Sequence, residues 1–252
     1  MTESLVEVTR SGRSLKIAFN RPQKRNALVP QMYSEINAAM DLASSDPEIL
    51  VVVLSGNGDG FTAGNDLADF AASPSISPDA PVSQFLQRLA RFEKILVAAV
   101  HGAAVGVGTT MLLHCDLVIA ATNAKFALPF VNLALVPEAA SSLLLPARIG
   151  HQRASELLLL GEPFTAEAAL EMGLVNRVVA PEALAATTEE FVAKLVAKAP
   201  SALLASKRLL KSTATTTPLE RIAEENVAFA AQLQSPELKA AIAAFFQSRK
   251  AS

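Results

Sequence analysis

The sequence predicts an α/β fold with parallel strands, followed by a helical tail. Short apolar runs recur through the first half, segments of helical spacing separate them, and strand signals stop after Ala183, where Pro200, Pro218 and Pro236 punctuate three helical segments. The predicted division is a core over residues 1–195 and a helical region over 196–252.

Leu5 to Val8 and Leu15 to Phe19 flank Ser11-Gly12-Arg13, a hairpin signal. Pro30 to Ala43 carries Met32, Ile36, Ala39 and Met40 at helical spacing, with Pro30 suited to a first turn. Ile49 to Leu54 reads as a strand, Gln84 to Phe92 as a helix, Ile95 to Val100 as a strand, Val107 to Leu113 as a helix and Leu117 to Ala120 as a strand. Between the first two of these, Ala71 to Pro81 is rich in proline and serine, an exposed loop that either covers a substrate tunnel or is passive surface. In the tail, Leu219, Ile222, Ala223, Val227, Ala230 and Leu233 fall on one face, and Ser235-Pro236 reads as an N-cap followed by a first-turn proline.

Composition narrows the function. With 252 residues and 51% hydrophobic content the chain can bury a large core. A formal charge of −2 gives no general attraction to a phosphate backbone, so nucleic acid is not an expected partner. The apolar runs are far shorter than the ~20 residues that span a bilayer, and no basic, apolar leader precedes Leu5, so a cytoplasmic protein without a membrane role is expected. Cys115 stands alone and the three histidines lack metal-ligand spacing, so no metal is expected.

Two glycine-containing segments carry the chemistry: Phe61-Thr62-Ala63-Gly64-Asn65-Asp66-Leu67 and His101 through Gly106-Val107-Gly108 to Thr110. Each follows a predicted strand and opens into a helical segment, which places free backbone N–H groups at its end. A dinucleotide fingerprint fails because Met111 stands where the third glycine belongs, and no Lys-Ser/Thr pair supports a P-loop. The cluster Gly56-Asn57-Gly58-Asp59-Gly60 reads as a flexible turn. Two turns of this kind can form an oxyanion hole.

Together with Asn20-Arg21-Pro22-Gln23-Lys24-Arg25-Asn26-Ala27-Leu28, Cys115-Asp116-Leu117-Val118-Ile119-Ala120, and Ala166-Glu167-Ala168 through Gly173-Leu174-Val175-Asn176, the segments resemble the crotonase (enoyl-CoA hydratase/isomerase) superfamily along nearly the whole chain. The resemblance implies a spiral of ββα turns with a C-terminal helical trimerisation region, and a homotrimer or dimer of trimers. It implies no separate cofactor, because coenzyme A is part of the acyl-CoA substrate. Such enzymes stabilise a thioester enolate, here through the backbone donors Ala63 and Val107, the latter standing where glycine is usual. Lys24 and Arg25 align with contacts to the CoA phosphates, a solvated basic turn being the alternative. Ala27, Gly64, Asn65, Asp66, Leu67, Gly106, Phe130 and Pro137 align with the CoA and acyl site, although capping is the safer reading of Asp66.

Family hydratases carry two glutamates, and those positions are Thr110 and Phe130 here. Glu138 follows Pro137 instead, which resembles the Δ3,Δ2-enoyl-CoA isomerase branch, as does Gly64-Asn65-Asp66-Leu67. There one glutamate shuttles the proton, and burial among Leu133, Leu135 and Ala139 would raise its pKa. The bland reading of Glu138 is an acid in the first turn of a helix after Pro137. An enoyl-CoA hydratase and a non-catalytic acyl-CoA-binding homologue are the alternatives. Asp69 reads as a solvated charge, His101 and Asp116 as structural, and His114 and His151 have no partner visible in sequence. Ser141 and Ser142 lack a nucleophile elbow.

Overall fold

The computed structural model describes residues 4–72, 77–198, 200–211 and 217–234, with 238, 239, 242, 243, 246 and 247. Ser235-Pro236 and positions 73–76 of the predicted loop lie outside these residues. The hairpin forms as β1 (Val6–Ser11) and β2 (Ser14–Phe19), antiparallel with Ser11 opposite Ser14. There follow α1 (Pro30–Ser45), β3 (Val51–Gly56), α2 (Leu67–Ala72), α3 (Pro81–Arg91) and β4 (Ile95–Val100). Next come β5 (Ala103–Val105), α4 (Val107–Thr110), β6 (Leu117–Ala121), β7 (Lys125–Ala127), α5 (Ser141–Ile149) and α6 (His151–Ser155). The chain continues through β8 (Phe164–Thr165), α7 (Ala166–Glu171), β9 (Arg177–Val179), α8 (Leu184–Val196), α9 (Pro200–Lys211) and α10 (Thr217–Leu233).

The larger sheet has six strands in the order β1-β2-β3-β4-β6-β9, all pairs beyond the hairpin parallel. Successive side chains point to opposite faces. Val52, Leu54, Leu96 and Ala98 join Met32, Ile36, Phe85 and Leu89 of α1 and α3 in one core. Val51, Val53, Ile95, Val97 and Ile119 face a second core closed by Leu184, Phe191 and Leu195 of α8, with Leu203 and Leu204 of α9 packed on it. Both faces being covered explains why these strands are continuous apolar runs. Truncating a fully buried residue such as Leu54 to alanine would cost about 2–5 kcal/mol.

A second, three-stranded sheet, β5-β7-β8, was not foreseen. The predicted Val107 to Leu113 helix divides into α4 and a tight turn over Met111–His114. On α10 the expected face is corrected: Ile222, Phe229 and Leu233 are buried, while Val227 is 74% exposed. No helix among the described residues is long and apolar enough to cross a membrane.

Candidate active site

The first wall of the site is built around Asn26, which is 1% exposed and adopts a left-handed backbone (φ 54°). Its Nδ2 donates to the carbonyls of Asn57 and Gly60, both at 2.8 Å, and its Oδ1 accepts from Arg21 N at 2.8 Å. Asn57 N donates to Phe19 O and His101 Nε2 to Gly58 O, each at 2.8 Å. The glycine cluster at 56–60 is therefore a pinned turn, which corrects the flexible-turn reading, and His101 is structural as expected.

From this hub the two glycine segments are laid side by side. Leu28 pairs with Asn65 in a parallel bridge, through Leu28 N to Gly64 O at 2.8 Å and Asp66 N to Leu28 O at 2.9 Å. Thr62 pairs with Ala104 through Thr62 N to Ala103 O at 2.8 Å and Val105 N to Thr62 O at 3.0 Å. Gly64 has φ 86°, and a Cβ there would stand 2.7 Å from the Val105 carbonyl oxygen. Gly106 (φ 56°, ψ −117°) then turns the chain so that Val107 opens α4.

This geometry decides which amides are available. Ala63 N donates to Arg25 O at 2.9 Å. That N–H belongs to the scaffold, and the expected donor role of Ala63 is corrected. In the parallel bridge the N–H of Asn65 faces away from Leu28, and Val107, first residue of its helix, has no intrahelical acceptor. Among the described residues neither N–H is tied to a backbone carbonyl.

The second wall carries Glu138, which is 7% exposed. Ala139 and Ala140 both take left-handed conformations, and α5 starts only at Ser141, whose N and Oγ bond to Glu138 O at 2.9 and 2.6 Å. Glu138 precedes the helix and is not part of its first turn. His114, buried, donates from Nε2 to Ala139 O at 2.8 Å. Burial holds this imidazole down to about 4, against the opposing pull of that hydrogen bond, so it is neutral. Lys211 of α9 donates to His114 O at 3.0 Å, and burial followed by Lys207 lowers its ammonium to about 8. Asp116 accepts from Leu96 N at 2.8 Å and from Lys207 Nζ at 2.6 Å, a structural role as expected. Burial pushes the neighbouring Cys115 thiol up to about 12, which leaves it inert.

Between the walls lies a cavity of about 440 Å³, lined by Leu28, Tyr33, Asn65, Phe70, Leu86, Glu138 and Phe229 among others. Asp66, Asp69 and Asp79 also reach it, with Ser77 and Ala80 of the predicted loop. Asp69 is thus half-buried at the cavity and not simply solvated. Asp66 pairs with Arg21 at 2.7 Å and accepts from Ala68 N at 3.1 Å, capping α2 at Leu67 as expected. Burial alone would raise the Asp66 carboxyl; the Arg21 bond and the amides of Asp69 and Ala68 outweigh it and hold it below the usual range.

Thr110 and Phe130 are buried, Pro137 and Ala27 half-buried, and Lys24 and Arg25 exposed on the turn at Pro22–Lys24, away from the cavity lining. Sequence reasoning passed over Tyr33, which lines the cavity and bonds through its OH to Asn65 Oδ1 at 2.5 Å. It also assigned no role to Asn26, Arg21 or His114. Tyr33 looked like one more residue on a helix, and the only available signal was that the chain has a single tyrosine.

A family model described as enoyl-CoA hydratase/isomerase matches residues 10–252, and the chain belongs to this crotonase family. It is 33% identical to 2,3-dehydroadipyl-CoA hydratase of Escherichia coli (strain K12) over 96% of this chain and 95% of that protein. It is 38% identical to enoyl-CoA delta isomerase 2 of Rattus norvegicus over 81% of this chain and 54% of that longer protein. Among solved structures, an enoyl-CoA hydratase/isomerase from Pseudoalteromonas atlantica T6c superposes with a TM-score of 0.92 at 40% identity, covering 97% of both chains. Pseudomonas aeruginosa OdaA gives 0.90 at 42% identity, covering 96% of this chain and 99% of that one. The crotonase fold is thereby shown, and the relatives include both isomerases and hydratases.

Proposed function

We propose that the protein is a Δ3,Δ2-enoyl-CoA isomerase acting in the cytoplasm. The observation that carries this reading is Glu138, the only buried carboxylate among the described residues, lining the cavity while Thr110 and Phe130 occupy the positions of the hydratase glutamates. The Asn65 and Val107 N–H groups receive the thioester oxygen, each donor supplying about 3–4 kcal/mol as charge develops on that oxygen. Glu138 removes the α-proton of a 3-enoyl-CoA and returns it to the γ-carbon, leaving the double bond conjugated with the thioester. Leu28, Phe70, Leu86 and Phe229 surround the acyl chain and exclude water, and Lys24 and Arg25 meet the CoA phosphates at the surface. Coenzyme A enters with the substrate, so no further cofactor is needed.

Assembly as a trimer belongs to the same reading. Leu210 is 83% and Val227 74% exposed on the C-terminal helices, apolar surface suited to a protomer contact. Light scattering at micromolar concentration should give three chains or a multiple of three, and a monomer would contradict it.

The catalytic assignment is tested by Glu138→Gln, an isosteric change that removes the base. Isomerisation should fall on the order of 10²- to 10⁴-fold while acyl-CoA still binds. Retained turnover would place the base elsewhere.

A further inference from the structure

Tyr33 has no part in the proton shuttle just described, yet it sits in the same cavity as Asn65 and Glu138. Its residue is 3% exposed, in the first turn of α1, with the ring packed on Phe85 at a centroid distance of 5.4 Å. A phenylalanine would fill that slot equally well. A buried phenol needs a polar partner, and this one donates to Asn65 Oδ1 at 2.5 Å. Asn65 follows Gly64, whose φ of 86° leaves the turn dependent on outside anchors. Leu28 holds one side of it through the backbone bridge, and Arg21 holds the next residue, Asp66, at 2.7 Å. Gly64 N donates to Thr62 Oγ1 at 3.1 Å, and the side chain of Asn65 is a further handle.

We propose that Tyr33 is a positioning residue of the oxyanion loop: its hydrogen bond to Asn65 Oδ1 fixes the Gly64-Asn65-Asp66 turn so that the Asn65 N–H meets the thioester oxygen. The inference rests on the enolate reading of the site, but not on where the proton is delivered. Burial, reinforced by the Glu138 carboxylate, holds the phenol well above its ordinary pKa, so it remains a donor throughout the working pH range. Because its proton is given to Asn65, Tyr33 acts through that residue and not as a proton relay to Glu138.

The test compares full-length Tyr33→Phe, Asn65→Ala and the double variant. Each single change should lower kcat roughly three- to tenfold, the worth of one hydrogen bond, with KM unchanged. The double variant should be no slower than the slower single. Multiplying effects would show two independent roles and overturn the proposal. A second readout needs no turnover: the infrared carbonyl stretch of a saturated acyl-CoA labelled with carbon-13 at the thioester. Binding to the wild type should shift it to lower frequency, and Tyr33→Phe should return it part of the way. A shifted wild-type band that stays put in Tyr33→Phe overturns this inference alone, whereas an unshifted wild-type band removes the oxyanion reading and this inference with it.

Discussion

The wall where residues 61–66 lie against 103–107 is held by backbone bridges and by the buried amide of Asn26. The wall that carries Glu138 is tied by side chains instead: His114 to Ala139 O, Lys211 to His114 O, and Lys207 to Asp116. The first wall is therefore set by conformation and should be strict about glycine, asparagine and free amides, responding to pH only at the acid end, where Asp66 takes its proton. The second depends on buried titratable groups shared with α9, so its integrity should change with protonation.

The largest effect expected from breaking the first wall is at Val107. Val107→Pro removes the N–H at a first-turn helix position that tolerates proline, so the protein should fold by circular dichroism yet lose on the order of 10²- to 10³-fold in turnover. Val107→Gly keeps the N–H and should retain substantial activity. A folded proline variant with near-normal turnover would withdraw this donor.

Asn26→Ala reaches the same wall through its scaffold. It removes two donated bonds and one accepted bond from a buried site. A loss of roughly 3 kcal/mol in urea unfolding is expected, with turnover falling as well. Stability within experimental error of wild type would show that the turn at 56–60 holds itself.

The second wall is sharpened by pH. His114 is neutral in the folded chain down to about 4 but takes a proton near 6.5 when unfolded. Between these values the unfolded chain binds more protons, so this contribution is complete above about pH 6.5, declines as pH falls and levels off below about 4. The full loss is about 3 kcal/mol. Urea unfolding of wild type and His114→Gln at pH 7, 6 and 5 should show a decline in the wild type that is smaller in the variant; parallel curves would remove His114 from the comparison. The smallest effect belongs to Asp66→Asn. Its pair with Arg21 is only partly exposed (17% and 18%), asparagine still caps α2, and the cost should be no more than about 1 kcal/mol. A loss several times larger would make the ion pair a main support of the Gly64-Asn65-Asp66 turn.

The two walls also differed in how far sequence could reach them. Ile95 to Val100 was read with its true ends because both faces of β4 are buried and the run is apolar throughout. The second sheet was invisible, since strands of two or three residues carry no periodicity. The Phe61 to Leu67 motif marked a loop that reaches the cavity, but which of its amides is left out of the scaffold depends on the register of Leu28 against Asn65, and that pairing spans residues far apart in the chain. Glu138 was legible by its chemistry and neighbouring Pro137, whereas the left-handed pair Ala139 and Ala140 that sets it before α5 gave no signal, alanine being an unusual residue for that conformation. Tyr33 was hidden because a tyrosine at helical spacing is indistinguishable from core.

The most direct test of the account is to give the purified protein 3-enoyl-CoA and 2-enoyl-CoA thioesters of several lengths and follow ultraviolet absorbance and product mass. Formation of the conjugated 2-enoyl-CoA at unchanged mass, with water addition far slower, is the predicted result. Hydration as fast as isomerisation, or faster, would contradict it.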